Sequence, residues 1–361
     1  MPLTFNVPIN NVSFGQVSVN ILKYLHSIGR DDINIFPIGN VSLNSYESNK
    51  EFNDWIVKSI NEAAKKYSKN DKCFKLWHLN DSAASIGKEQ LLLTFYELDA
   101  PTREEINIAK NNHTAVTNKF TQQVFSDFGA KCDYIPLFFD NKTFFDKGRT
   151  YYKDGRIVFN LVGKFEHRKH HKKTIQAWVK KYGNNRKYML KCAIYNVFHN
   201  QDENAKMFLE SIEGKTYFNV EYIPYMNSNS DYNDFLNAAS IVIGMSGGEG
   251  WGLPEFQSVC LGKHSVIMNA HGYKEWADSE NSVLVNPSGK ISAVDGKFFK
   301  QNGRYNQGNI FDFNVDDFID GCEAAIKRVE SSPENLAGKS LAEKFTVENT
   351  SNSIIEKLEK I

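Results

Sequence analysis

Short apolar or β-branched runs alternate along the chain with longer segments of helical character, and this alternation restricts the fold more than any other feature. In the first half, LTFNV, DINIF, FKLWHL, LLLTFY, TAVTN and CDYIPL read as strands. QVSVNILKYLHSI, NDWIVKSINEAAKKYSK and NKFTQQVFSDFGA read as helices, the last stopped by Gly129. Past a polar, glycine-bearing stretch from Asp146 to Gly155, the same pattern restarts with the strand RIVFNLVG, the helix KKTIQAWVKKYG and the strand YMLKCAIYN. It continues with a strand near FNVEYIP, the helix SDYNDFLNAA and strands at IVIG, HSVIMN and SVLVN. Strand–helix alternation of this kind gives α/β units with parallel sheets covered by helices. Ser288 to Phe313 lacks periodicity and reads as a long loop, and VDDFIDGCEAAIKRVES and NTSNSIIEKLEKI read as closing helices. A chain of 361 residues exceeds one ordinary core, so domains are expected over 1–150 and 151–335, with residues 336–361 as a terminal helical segment.

Lys plus Arg and Asp plus Glu number 43 each, so no global field draws the chain to nucleic acid or anionic lipid. The five cysteines are scattered with no C-x-x-C pair, which fits free thiols in a reducing compartment. MPLTFNVPINN has no basic-then-apolar leader, and the apolar runs fall short of the ~18 residues that span a bilayer. A cytoplasmic protein is expected, with peripheral membrane contact left open and oligomeric state unread.

Gly244 to Ser258, GMSGGEGWGLPEFQS, lies between an expected buried strand and an expected helix. Gly244, Ser246 and Gly248 form a G-x-S-x-G pattern, which suggests a hydrolase nucleophile turn. That turn needs a helix beginning almost at the serine and a later acid and histidine, yet the helix here waits for Leu253-Pro254 and the last histidine is His271. The second reading is a glycine loop that lets backbone N–H groups approach a ligand, followed by a proline-opened helix whose free N–H groups suit a diphosphate. Glu249 then accepts from sugar hydroxyls. A plain turn with a solvated Glu249 is the alternative.

NLVGKFEHRKHHKKTIQAW places Gly163 at a strand end, with Lys164, Arg168, Lys169 and further basic residues ahead of a helix. Cations at a helix N-terminus oppose its dipole, so a cluster there needs a reason, and a bound polyanion supplies one.

On these residues the chain resembles the GT-B glycosyltransferases, specifically the retaining group called glycosyltransferase family four. Gly163, Lys164 and Lys169 match the family's G-[RK]-x-x-x-x-K turn for the donor diphosphate, with Arg168 as a third cation. Glu249-Gly250-Trp251-Gly252-Leu253-Pro254 matches its E-G-x-G-L-P run, whose glutamate contacts the donor sugar. Where the family has a second, ribose-binding glutamate this sequence has Gln257, and Glu255 lies on another helix face. NAAS, NAHGYKEW, DYIPLFFD and PINNVSFGQVSVNIL resemble further family segments, and Tyr96 stands where a histidine is frequent.

The resemblance implies two Rossmann-like domains facing a central cleft: an acceptor-side N-terminal domain, a donor-side C-terminal domain, and a last helix crossing back to the first. It implies catalytic roles for Glu249, Lys169, Lys164 and Arg168. Donor contacts fall to Gly15, Gly163, Gly248, Gly250, Trp251, Gly252, Leu253 and Gln257. The acceptor side takes His78, Tyr96, Glu97 and Asp99. The donor is a nucleotide diphosphate sugar of UDP or GDP type, and the acceptor carries a hydroxyl, as on a glycan or lipid-linked sugar. Neither metal nor cofactor is expected. A modified DNA base is an alternative acceptor that the balanced charge does not favour. A non-catalytic protein that binds a nucleotide sugar or glycan is the alternative that Gln257 suggests.

Overall fold

The computed structural model describes residues 3–47, 49–148 and 155–361. The expected boundary at 150/151 lies outside the described residues. Two compact units form: one takes in the chain up to Asp140, Lys300–Gln307 and Phe345–Ile361, the other Asn141–Phe299 and Gly308–Lys344.

The first unit runs β1 (Leu3–Val7), α1 (Ser13–Ser27), β2 (Ile33–Pro37), α2 (Lys50–Lys66), β3 (Lys72–Leu76), β4 (Glu89–Thr94), α3 (Arg103–Asn111), β5 (His113–Val116), α4 (Lys119–Asp127) and β6 (Asp133–Tyr134). Its strands pair in the order β2-β1-β3-β4-β5-β6, all parallel. Both faces of such a sheet are covered, which is why Leu91, Leu92 and Leu93 run consecutively and are all buried. The sequence reading does not include α3, although its capping box is written in the chain: Thr102 Oγ1 accepts from Glu105 N–H and the Glu105 carboxylate accepts from Thr102 N–H.

The second unit runs β7 (Ile157–Val162), α5 (His171–Tyr182), β8 (Tyr188–Ala193), α6 (Gln201–Ser211), β9 (Val220–Tyr222), α7 (Asn229–Asn237), β10 (Ile241–Gly244), α8 (Leu253–Cys260), β11 (His264–Met268) and β12 (Val283–Val285). The order β12-β11-β10-β7-β8-β9 is again wholly parallel. α6 is likewise absent from the sequence reading, and it opens on a second capping box, Asn200 with Glu203.

Ser288–Phe313 is not a structureless loop. It carries β13 (Gly289–Ser292) and β14 (Asn309–Asp312), paired antiparallel from Gly289↔Asp312 to Ser292↔Asn309. The exposed GKIS strand hides its period among polar residues, and the pairing is anchored by Ile310, which is fully buried. The intervening Lys300–Gln307 packs in the first unit, where Asn306 N–H donates to Glu105 (2.8 Å) and Thr102 Oγ1 donates to the Arg304 carbonyl (2.7 Å).

α9 (Val315–Ser331) covers β11 and β12, and the short α10 (Leu336–Lys339) and α11 (Leu341–Lys344) follow. α12 (Val347–Lys360) then packs on α1, β3 and β4, its apolar stripe including the buried Ile354 and Leu358.

Candidate functional site

In the second sheet the chain builds outward in opposite directions from the adjacent strands β7 and β10, so a crevice opens beyond their C-terminal ends. The two motifs singled out in the sequence are the loops that leave these strands. Gly163 follows β7 with φ +116°, a conformation closed to ordinary side chains, and the Lys169 side chain lies over it, 3.4 Å from where a Cβ would stand. A 3-10 turn, His167–Lys169, then leads through the left-handed His170 (φ 54°) into α5. His170 is held in that strained conformation by a hydrogen bond of 2.8 Å between its Nε2 and the Phe311 carbonyl on β14.

The loop after β10 locks onto this turn. Gly247 N–H donates to the Arg168 carbonyl (2.7 Å), and Arg168 Nη1 donates to the Gly248 carbonyl (2.6 Å) and to Glu249 Oε1 (2.8 Å). Lys169 Nζ pairs with the same Oε1. All three side chains are nearly closed to solvent, at 6%, 7% and 7% exposure for Arg168, Lys169 and Glu249. Burial alone pushes the Glu249 carboxyl up, but Arg168 and then Lys169 hold it well below the usual carboxylate range. Burial lowers the Lys169 ammonium, and Glu249 more than restores it. The solvated Glu249 of the plain-turn reading is therefore ruled out: it is an ionised carboxylate bridging two buried cations.

Ser246 is not a nucleophile poised by a base. Its hydroxyl is hydrogen-bonded to the Arg168 and Gly248 carbonyls (3.3 and 3.1 Å), and the nearby His271 bonds through Nε2 to the Ser246 carbonyl (2.8 Å) instead of the hydroxyl. His271 and His171 are buried, which lowers them to about 4 and about 3, so both rings are neutral.

Gly252 (φ 82°) turns the chain into α8, and a Cβ at this position would collide with the Tyr273 ring at 2.1 Å. α8 has no side-chain cap; Pro254 lacks an N–H, Phe256 N–H donates to the Gly252 carbonyl and Glu255 N–H meets its own carboxylate, so Leu253 N–H is the group at its start offered to an anion. Beneath it Glu255 is buried; burial raises its carboxyl, Lys169 pulls against that and Glu249 adds to it. Gln257 is also buried on α8.

Trp251 and Lys164, expected as a donor contact and a catalytic cation, are held by neighbours in the second unit. Trp251 is 2% exposed, its carbonyl accepting from Trp276 Nε1 at 2.8 Å and its ring packed on Phe256, so it supports the loop from below. Lys164 lies on Glu166 at 2.7 Å and over the Phe198 ring. Glu166 also meets Arg168 Nε at 3.2 Å, a supporting acid within the basic run that the sequence reading passes over. Gly248, Gly250 and Leu253 complete the loop and the first position of α8.

In the first unit the corresponding branch point lies between β1 and β3. Gly15 is buried in the first turn of α1, where a Cβ would meet Asn10 Oδ1 at 2.1 Å, so the turn after β1 requires glycine there. The exposed His78 packs on Phe14 (ring centroids 4.5 Å apart), which stacks on Phe95 at 4.1 Å. Along 95–99, Tyr96 and Leu98 are buried while Phe95, Glu97 and Asp99 remain partly exposed. Tyr96 donates to Glu105 Oε2 (3.3 Å) and packs edge-on against Phe125, so its hydroxyl ties the strand end to α3. Among the described residues, no three His, Cys, Asp or Glu side chains gather as a metal-binding group. No described helix is long and apolar enough to cross a membrane.

The architecture is that of the GT-B glycosyltransferases: two Rossmann-like α/β units with parallel six-stranded sheets and a C-terminal helix on the first. Anabaena HepE in complex with UDP and glucose is similar in structure at 12% identity, with all of both chains covered and a TM-score of 0.70. Sucrose-phosphate synthase from Thermosynechococcus elongatus gives 12% identity, coverage of 99% of this chain and 98% of that one, and a TM-score of 0.69. A glycosyltransferase from Rickettsia africae gives 13% identity, 99% and 97% coverage, and a TM-score of 0.69. No protein-family model and no curated protein matches the chain in sequence.

Proposed function

We propose that the protein is a retaining glycosyltransferase, of the family-four type within GT-B, that moves a sugar from a nucleotide diphosphate donor to an acceptor hydroxyl. The observation that carries this reading is the junction at the ends of β7 and β10. There Glu249, Arg168 and Lys169 form one buried charge cluster beside the uncapped start of α8. A departing diphosphate needs cations and N–H dipoles fixed in advance where its charge develops, and this junction supplies both. Glu249 positions the sugar through its hydroxyls. The apo ion pairs give way on binding: the phosphate oxygens take the cations, and the freed carboxylate faces the sugar. Attack from the face of departure lets the leaving phosphate oxygen take the acceptor proton, so neither a dedicated base nor a metal is needed. HepE, similar in fold, is bound to UDP and glucose, which favours UDP as the nucleotide here.

The test is release of nucleotide from a panel of UDP- and GDP-sugars, with and without sugar acceptors, followed by NMR assignment of the product anomer. Lys169→Met should lower turnover by ~10²–10³, the cost of losing one electrostatic contact to the developing charge. Turnover of the variant near that of the parent overturns the site. Donor binding without turnover across the panel replaces the transferase with a sugar-nucleotide binding protein, and an inverted anomer removes the retaining mechanism.

A further inference from the structure

Glu255 has no part in the chemistry described above, yet this acid is 2% exposed, deeper than Glu249 and Glu166 at 6% each. It stands in the first turn of α8, and charged or phenolic groups from four elements face it. Lys169, on the turn before α5, draws it toward the ionised form, and Glu249, on the loop after β10, opposes that. Tyr273, on the 3-10 turn after β11, and Tyr232, on α7, bring their phenols to it. His171 and His271, which border the same charge cluster, are both neutral.

The space around this side chain is fitted to it. A Cβ on Gly244 would stand 2.8 Å from Glu255 Cγ and 3.2 Å from the Tyr273 hydroxyl, and one on Gly252 would stand 3.3 Å from Glu255 Oε2. The Glu255 N–H meets its own carboxylate, but Oε2 has no hydrogen-bond partner among the described residues, and neither has the Tyr273 hydroxyl. A buried carboxylate oxygen left this way disfavours the ionised form. Lys169 is the cation that resists this, and it already shares the Glu249 Oε1 with Arg168, so one ammonium lies between two acids. Burial, resisted by Lys169 and helped by Glu249, raises the Glu255 carboxyl to about 7. A diphosphate held by Arg168 and Lys169 brings further negative charge next to this acid. Like charges in a buried site do not persist together when one of them can take up a proton.

We propose that Glu255 takes up a proton from solvent as the donor diphosphate binds, so that Lys169 is released from its inner carboxylate and turns its full charge to the phosphates. The inference rests on the donor-site reading above and adds to it a positioning residue that acts through Lys169. Binding raises the Glu255 carboxyl above its free value, so affinity is full below about 7 and falls as pH rises past it.

Isothermal titration of the full chain with UDP-glucose, and separately with GDP-mannose, in buffers of different ionisation enthalpy tests this. The phosphates of these donors have no proton to exchange near neutral pH. Between about pH 7 and 8 the complex should take up at least about 0.3 proton per donor, and affinity should weaken about fivefold from about pH 6.5 to 8. Glu255→Gln fixes the neutral shape: uptake should drop below about 0.1 proton, and binding at about pH 8 should become at least about threefold tighter than the parent's. A residue that only packs α8 would not tighten binding when replaced. Donor binding by the parent without proton uptake overturns the role of Glu255 and leaves the donor site standing. So does uptake of the same size in Glu255→Gln, or weaker binding by that variant at about pH 8. Absence of binding by both donors at millimolar concentration instead overturns the donor site itself, and this inference with it.

Discussion

Removing Glu249 should unbalance the second unit before any question of substrate arises. Arg168 Nη1 approaches Glu249 Oε1 at 2.8 Å, and Lys169 Nζ shares that oxygen, all within a site closed to solvent. One such pair carries a gross attraction of about 6 kcal/mol at an effective dielectric of ~20, much of it offset by the desolvation of both ions. Glu249→Ala leaves both cations buried against each other, and such a loss typically costs about 3–5 kcal/mol. Arg168 keeps Glu166 at 3.2 Å and Lys169 keeps the attraction of the buried Glu255, so the loss should fall toward the lower end of that range. Lys169→Met in the Glu249→Ala background should therefore recover part of the loss, with a coupling of about 2 kcal/mol between the two positions. Urea unfolding of the parent, both single variants and the double variant, followed by the summed fluorescence of the five tryptophans, measures this. A Glu249→Ala loss under about 1 kcal/mol, or a coupling under about 0.5 kcal/mol, refutes the buried cluster.

Other outcomes follow from the same site. His171 and His271 are neutral in the fold at about 3 and about 4, against an unperturbed 6.5. The unfolded chain takes up their protons first, so stability is full above pH 6.5 and falls as pH drops through the window down to 3–4, by about 2 kcal/mol per histidine at pH 5. Urea midpoints between pH 7.5 and 5 check this, and a flat profile contradicts it. Ser246→Ala should leave nucleotide-sugar turnover within about tenfold while lowering stability by ~1 kcal/mol, the worth of the one hydrogen bond its hydroxyl proton makes among the Arg168 and Gly248 carbonyls and the Glu249 carboxylate; abolished turnover would return Ser246 to the chemistry. Gly163→Ala should cost about 1–3 kcal/mol from its φ of +116° and lower turnover by distorting the turn that leads to Lys169, measured by thermal unfolding and nucleotide release. Wild-type values in both assays would show that this turn is not strained.

The sequence by itself determined the elements that short-range physics writes plainly. Parallel strands buried on both faces appear as unbroken apolar runs such as LLL and IVI, and Gly163 and Gly252 mark turns that only glycine makes without strain. Two helices with capping boxes, α3 and α6, were equally legible but lie in polar stretches where hydrophobic period is weak. Tertiary structure decided what depends on residues far apart in the chain. Glu249 is an ion-paired bridge because Arg168 and Lys169, some 80 positions earlier, arrive from the neighbouring strand. The same packing sets Tyr96 and Trp251 inside and forms β14 against the glycine loop, where Phe311 N–H donates to Gly247. Spacing in a sequence reports which side chains share a face of one element. The charge state of a buried carboxylate depends on the groups that the sheet order places beside it.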